Sequence, residues 1–146
     1  MDNVSHHIIE PYSRRLIIAT IEQEKHITEI EKTFGIDASS LNRLGGVYTV
    51  TYKGWNSLFV FFNFSAYETL TYGIVSHECL HIVDEMFNTI DHDYDVENNE
   101  PGAYLIEWLV NKVFNHLEKR NLIKNLSSES KIKDINKVIQ KIIESQ

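Results

Sequence analysis

His77-Glu78-Cys79-Leu80-His81 is the stretch on which the reading of this chain turns. It spells His-Glu-x-x-His. On an α-helix, residues four apart stand one above the other on the same face, so both imidazoles can reach a single metal ion. Glu78 lies one step round the helix, where a carboxylate can take a proton from a water activated by that metal. The surroundings predict a helix. Ser65-Ala66-Tyr67-Glu68 has the form of a capping box, no Pro or Gly interrupts the chain from Ile74 to Ile90, and Leu70, Ile74, Val83 and Phe87 keep helical spacing. The motif therefore falls in mid-helix, where the geometry of a Zn²⁺ site with a general base is met.

A catalytic zinc ion takes a third protein ligand and leaves its fourth position open. The metzincin pattern is excluded, because the positions where it needs Gly and His hold Asp84 and Phe87. The remaining common solution is a Glu from a following helix. Glu100 opens the segment Glu100-Pro101-Gly102-Ala103-Tyr104-Leu105-Ile106-Glu107-Trp108-Leu109-Val110. Pro101 suits a first helical turn, and the small Ala103 on the same face allows two helices to approach closely. Glu107 is the rival, sharing a face with Ala103, Val110 and Phe114. Whichever Glu does not bind metal is placed to hydrogen-bond a ligand imidazole.

His-Glu-x-x-His followed by Glu-x-x-Ala on the next helix resembles the gluzincin arrangement in reduced form, that of thermolysin-like peptidases and small single-domain minigluzincins. The longer string Asn99-Glu100-Pro101-Gly102-Ala103-Tyr104-Leu105 is similar to small bacteriophage proteins carrying His-Glu-x-x-His. The resemblance spans about Arg14 to Leu117. It implies a zinc metallopeptidase with His77, His81 and Glu100 as ligands, Glu78 as general base, and Tyr104 as a catalytic pocket residue able to donate to an oxyanion. It implies a peptide or protein substrate laid beside an edge strand, Val47–Lys53 or Leu58–Phe64. The competing expectation is a non-enzymatic phage structural or host-interaction protein that keeps the zincin fold and its metal. Residence is then the host cytoplasm or the virion.

Composition bounds these readings. The chain has 146 residues, enough for one domain with one core. A net charge of −7 argues against non-specific nucleic-acid binding. Cys79 is the only cysteine, so no internal disulfide forms; it reads as a small buried residue rather than a ligand. The start of the chain lacks the apolar run of a signal peptide, and the longest apolar run, Leu58 to Phe62, is far too short to span a membrane.

Working outward, Arg14–Ile21 reads as a strand and Glu22–Phe34 as a helix ended by Gly35. Ile36–Gly46 reads as a loop, and Val47–Lys53 with Leu58–Phe64 as a hairpin turned at Lys53-Gly54-Trp55-Asn56. The motif helix, a loop over Asp91–Asn99 and the Glu100 helix follow. The fold class is α+β: a small antiparallel or mixed sheet packed on the metal-bearing helix and the second, Glu-bearing helix, zincin-like. Residues 1–125 form that domain. Residues 126–146 are a tail in which Ile132, Ile135, Val138, Ile139, Ile142 and Ile143 mark an amphipathic helix, to dock on the domain, self-associate or bind a partner protein. Asp91-His92-Asp93-Tyr94-Asp95 fails the EF-hand pattern at its sixth and twelfth positions and reads as an acidic loop. His6-His7 reads as a flexible terminus, and His26 and His116 as surface residues.

Overall fold

A computed structural model describes residues 1–65, 70–89, 99–127 and 139–145. The fold is α+β. A four-stranded mixed sheet is built from β1 (Val4–Ile9), β2 (Arg14–Ile21), β3 (Gly45–Tyr52) and β4 (Trp55–Asn63), in the order β1-β2-β4-β3. β2 and β4 run parallel at the centre, and β1 and β3 flank them antiparallel.

The two central strands are apolar on both faces because both faces are covered. Side chains alternate across a strand. Leu16, Ile18, Leu58, Val60 and Phe62 therefore point one way, into a cluster with α2 (Tyr72–Thr89) and α3 (Glu100–Lys119). Ile17, Ala19, Ile21, Phe59 and Phe61 point the other way, against Ile30 and Phe34 of α1 (Glu24–Phe34). The result is three layers, with the motif helix on one side of the sheet. Gly35, at φ 72°, ends α1 with its N–H on the Glu31 carbonyl, as expected. The hairpin turns at Lys53 (φ 51°) and Gly54 (φ 81°). Two positive φ values in a row match the right-handed twist of the strands, and Gly carries one of them without strain.

β3 stands at the edge of the sheet and β4 inside it, which settles which hairpin strand is free to pair. Four histidines depart from expectation. His6 and His7 are not a loose terminus; they sit in β1, paired with Ile17 and Leu16. His26 is buried at the start of α1, where its Nδ1 accepts the Glu22 N–H at 3.0 Å. His116 is buried under β1, its Nδ1 2.7 Å from Ser5 Oγ, which also lies 3.0 Å from His7 Nε2. His26 is buried at a helix start and His116 by a strand distant in sequence, and neither is visible in local spacing.

Burial, then the nearby Arg120 and His7, push His116 down to about 4 from its usual 6.5. The folded chain thus holds it neutral while the unfolded chain protonates it below about pH 6.5. This contribution to stability is complete above pH 6.5 and is lost as pH falls towards 4. Between pH 7 and 5 the fold should lose about 2 kcal/mol from this group alone. Urea unfolding at the two pH values should show the loss in the wild type and a clearly smaller one in His116→Gln.

Past α3, a short 3-10 turn (Ile123–Asn125) leads to a two-residue strand, Leu126–Ser127, which pairs parallel with Leu70–Thr71 just ahead of α2. The chain thus stays attached to the core slightly beyond residue 125. Residues 139–144 are helical, with Ile139, Ile142 and Ile143 exposed. The capping box beyond Ser65, the acidic loop at 91–95 and the start of the tail lie outside the described residues. Among the described residues, no helix is long and apolar enough to cross a membrane.

Candidate active site

α2 packs one face on the sheet through Val75, Cys79, Ile82, Val83 and Met86, all fully or almost fully buried. That choice turns the opposite face, with His77 and His81, outward. The two rings meet nearly at right angles, 80° apart with centroids separated by 4.7 Å. Their Nε2 atoms are 3.1 Å apart. Two nitrogens each about 2.0–2.1 Å from a tetrahedral zinc are separated by about 3.3 Å. The pair is therefore already spaced as two corners of a zinc tetrahedron. The same separation also suits a hydrogen bond between one protonated and one bare nitrogen.

Glu78 is only 7% exposed and lines the same cleft as both histidines. Its neighbour across the cleft is the start of β3. A Cβ on Gly45 would lie 3.3 Å from Glu78 Cγ and 2.9 Å from the Phe61 carbonyl oxygen. Glycine is required there because the Phe61 carbonyl of β4 leaves no room for a Cβ, and the Glu78 side chain adds a second close contact. Gly45→Ala should force β3, β4 and Glu78 apart and cost about 1–3 kcal/mol. Chemical denaturation would register that loss, and an unchanged midpoint would refute the close approach.

The cleft holds about 900 Å³ and runs between α2 and the outer edge of β3, lined on the strand side by Arg43, Leu44, Gly45, Gly46 and Val47. On the helix side Asp84, Glu85 and Asn88 continue past His81. Cys79 is turned into the core, as its sequence context suggested. Burial, then Glu78, push its thiol up to about 12, which leaves it protonated and unsuited to metal binding or nucleophilic attack.

α3 lies alongside α2. Gly102, Ala103 and Ile106 face Leu80, Val83 and Asp84 across a smaller apolar cavity, and Phe114 stacks on Tyr72 at 5.8 Å. Ala103 is exposed and lines this cavity, whereas Gly102 beside it is buried. Residue numbers rise along one helix as they fall along the other, so the two run antiparallel. At 1.5 Å per residue, Glu107 is level with the middle of the histidine pair, whereas Glu100 lies roughly 10 Å further along. Both carboxylates are exposed. Among the described residues, no group of three or more His, Cys, Asp or Glu side chains is arranged to hold a metal. The structure brings together His77, His81 and Glu78. It does not bring Glu100 or Glu107 to them, and Tyr104 is 67% exposed and outside the cleft lining.

Sequence reading missed Arg43 and the Gly45-Gly46 pair. The paired glycines at the head of a strand were the one available signal of a close approach; nothing local marked Arg43.

No family model matches the chain, and no curated protein or solved structure shows significant similarity to it. The chemistry of the cleft therefore rests on its own residues.

Proposed function

We propose that this protein is a zinc-dependent metallopeptidase of small gluzincin type, acting on an extended peptide held in the cleft between α2 and β3. The observation that carries the reading is the pair of Nε2 atoms 3.1 Å apart beside a carboxylate that is 7% exposed, all opening on one cleft. A folding-only zinc site has no use for that carboxylate and closes its coordination with four protein ligands.

His77 and His81 would hold the ion, with a carboxylate from α3. The likeness of Glu100 and Ala103 to the gluzincin pattern supports Glu100; the pairing level of the helices supports Glu107. Zinc bound there supplies Lewis acidity, lowering the pKa of water and polarising a carbonyl. Glu78 accepts the proton of the attacking water and passes it to the leaving amine. Its burial beside Gly45 holds the carboxylate at the cleft wall and limits competing solvent. The outer edge of β3 offers backbone N–H and C=O groups to a peptide strand, the mode of binding by strand addition. Tyr104 enters as an oxyanion donor only if α3 or the substrate brings it to the cleft.

One observation favours a second reading, a phage structural or host-interaction protein that retains the metal site. Ile139, Ile142 and Ile143 on the tail helix are about half exposed, at 49%, 54% and 59%, as befits a surface that meets another protein. Zinc content, together with a peptide-library cleavage screen of wild type and Glu78→Gln, separates the two. Zinc-dependent cleavage lost in the variant supports the peptidase. Zinc retention without cleavage by either supports the second reading.

A further inference from the structure

We propose that the open end of the sheet's α1 face binds single-stranded nucleic acid, with bases stacked on Trp55 and Tyr52 and phosphates held by Arg15 and Lys53. This face is opposite the cleft, so the proposal goes beyond the peptidase reading and does not rest on it. Alternation along the strands puts His6, Ile8, Arg15, Tyr52 and Trp55 on the side of the sheet that carries Ile17 and Phe59. α1 covers only part of that side. Phe34, at the end of the helix, meets the Tyr52 ring at 5.1 Å. Past this contact the face lies open, with Ile8 52% and Trp55 56% exposed.

The open end is built from rings and cations. Tyr52 stacks with His6, centroids 5.4 Å apart and planes 20° apart. The Arg15 guanidinium lies 4.5 Å over the Trp55 ring, and the Lys53 ammonium lies 5.4 Å from the centre of the Tyr52 ring. His6, Ile8, Arg15, Tyr52 and Ser57 line a pocket of about 250 Å³ there, and no Asp or Glu lines it. Arg15 and Lys53 have no carboxylate partner among the described residues. Their field reaches His6, whose pKa is lowered by burial, then by Lys53 and Arg15. Flat rings beside unpaired cations match a chain of flat bases joined by phosphates. Bases stack on an aromatic ring or a guanidinium plane only when they are free of a partner base, so a single strand fits and a duplex does not. The pocket is smaller than the roughly 300–1,000 Å³ of sites that enclose a small ligand, which favours a strand laid across the face over a free nucleotide. The chain's net charge of −7 gives no long-range attraction. Affinity therefore comes from stacking and a few local phosphate contacts.

The test is fluorescence anisotropy of a labelled oligothymidine of about 15 nucleotides with the full chain at low salt. A duplex of the same length, an abasic strand and polyglutamate serve as competitors. The expected result is saturable binding of the oligothymidine, with each competitor at least about tenfold weaker. Trp55→Ala should weaken binding about 5–100-fold, the usual loss of one stacked base, and Trp55→Phe should recover part of it. Trp55 is exposed, so neither substitution disturbs the core. Arg15→Gln and Lys53→Gln should each weaken binding and lower the slope of log affinity against log salt by about 0.7. Lys112→Gln, on α3 at the other side of the sheet, should bind as the wild type does. No binding by the wild type, or unchanged binding in both Trp55→Ala and Arg15→Gln, overturns the proposal. Equal competition by the abasic strand or polyglutamate also overturns it, since the face would then take any polyanion, an acidic protein included. Neither zinc nor turnover enters the assay, so its outcome is separate from that of the peptidase reading.

Discussion

Glu78→Gln is expected to bind zinc as the wild type does and to lose turnover by about 10²–10⁴-fold, the usual contribution of a positioned general base. The substitution keeps the shape of the side chain and its packing against Gly45, so the fold is retained. It removes only the capacity to accept a proton. The histidines meet at their own Nε2 atoms and do not depend on Glu78 for that approach. Zinc stoichiometry near that of the wild type, with hydrolysis of a cleaved peptide abolished, is the outcome to look for. Turnover at the wild-type rate would remove Glu78 from the chemistry.

The second large effect concerns zinc affinity. Loss of a ligating side chain should exceed the 10–100-fold cost of losing a residue that merely supports a ligand. His77→Ala and His81→Ala should therefore each weaken zinc binding by more than about 100-fold. The carboxylates on α3 give the sharper comparison. Glu100→Ala is expected to fall in the same range, and Glu107→Ala to stay within about tenfold, as for a residue that supports a ligand. The opposite order would transfer the third ligand to Glu107, which is level with the histidine pair along the helices. Wild-type affinity in both variants would contradict a third ligand from α3. Competition with a chromophoric zinc chelator measures all four variants on one scale.

Much of this architecture was legible in the chain. The apolar Leu58–Phe64 run announced a strand, though not that it lies inside the sheet, and Lys53-Gly54 announced the turn before it. Gly35 marked the end of the first helix, and the spacing around His77 and His81 placed both on one helical face. These features are local, and local sequence controls them. The others depend on which distant segments meet. β1 escaped notice because His6 and His7 break the apolar alternation of a strand; its place is set by pairing with β2. His116 is buried because β1 lies over α3, which no spacing within α3 reveals. Which hairpin strand forms the edge depends on β2 pairing with β4 rather than with β3. Arg43 gains its position from Tyr48, Gly46 and the preceding turn, each of them unremarkable in sequence alone.

The proposed centre also accounts for an otherwise costly arrangement. α2 turns two imidazoles to solvent on one face and keeps a carboxylate nearly buried beside them, in an otherwise well-packed helix. Neither feature adds to the core formed by Val75, Ile82 and Met86. Glu78 has no ion partner among the described residues, burying a carboxylate in that way carries a desolvation cost, and a cation at the histidines would offset it.

Zinc X-ray absorption of the protein after equilibration with one equivalent of Zn²⁺ addresses the central claim most directly. The expected spectrum shows two imidazole nitrogens at about 2.0–2.1 Å, with oxygen ligands filling a four-coordinate shell and no sulfur. A protein that retains no zinc, or a spectrum without paired imidazole scattering, would contradict a metal centre at His77 and His81.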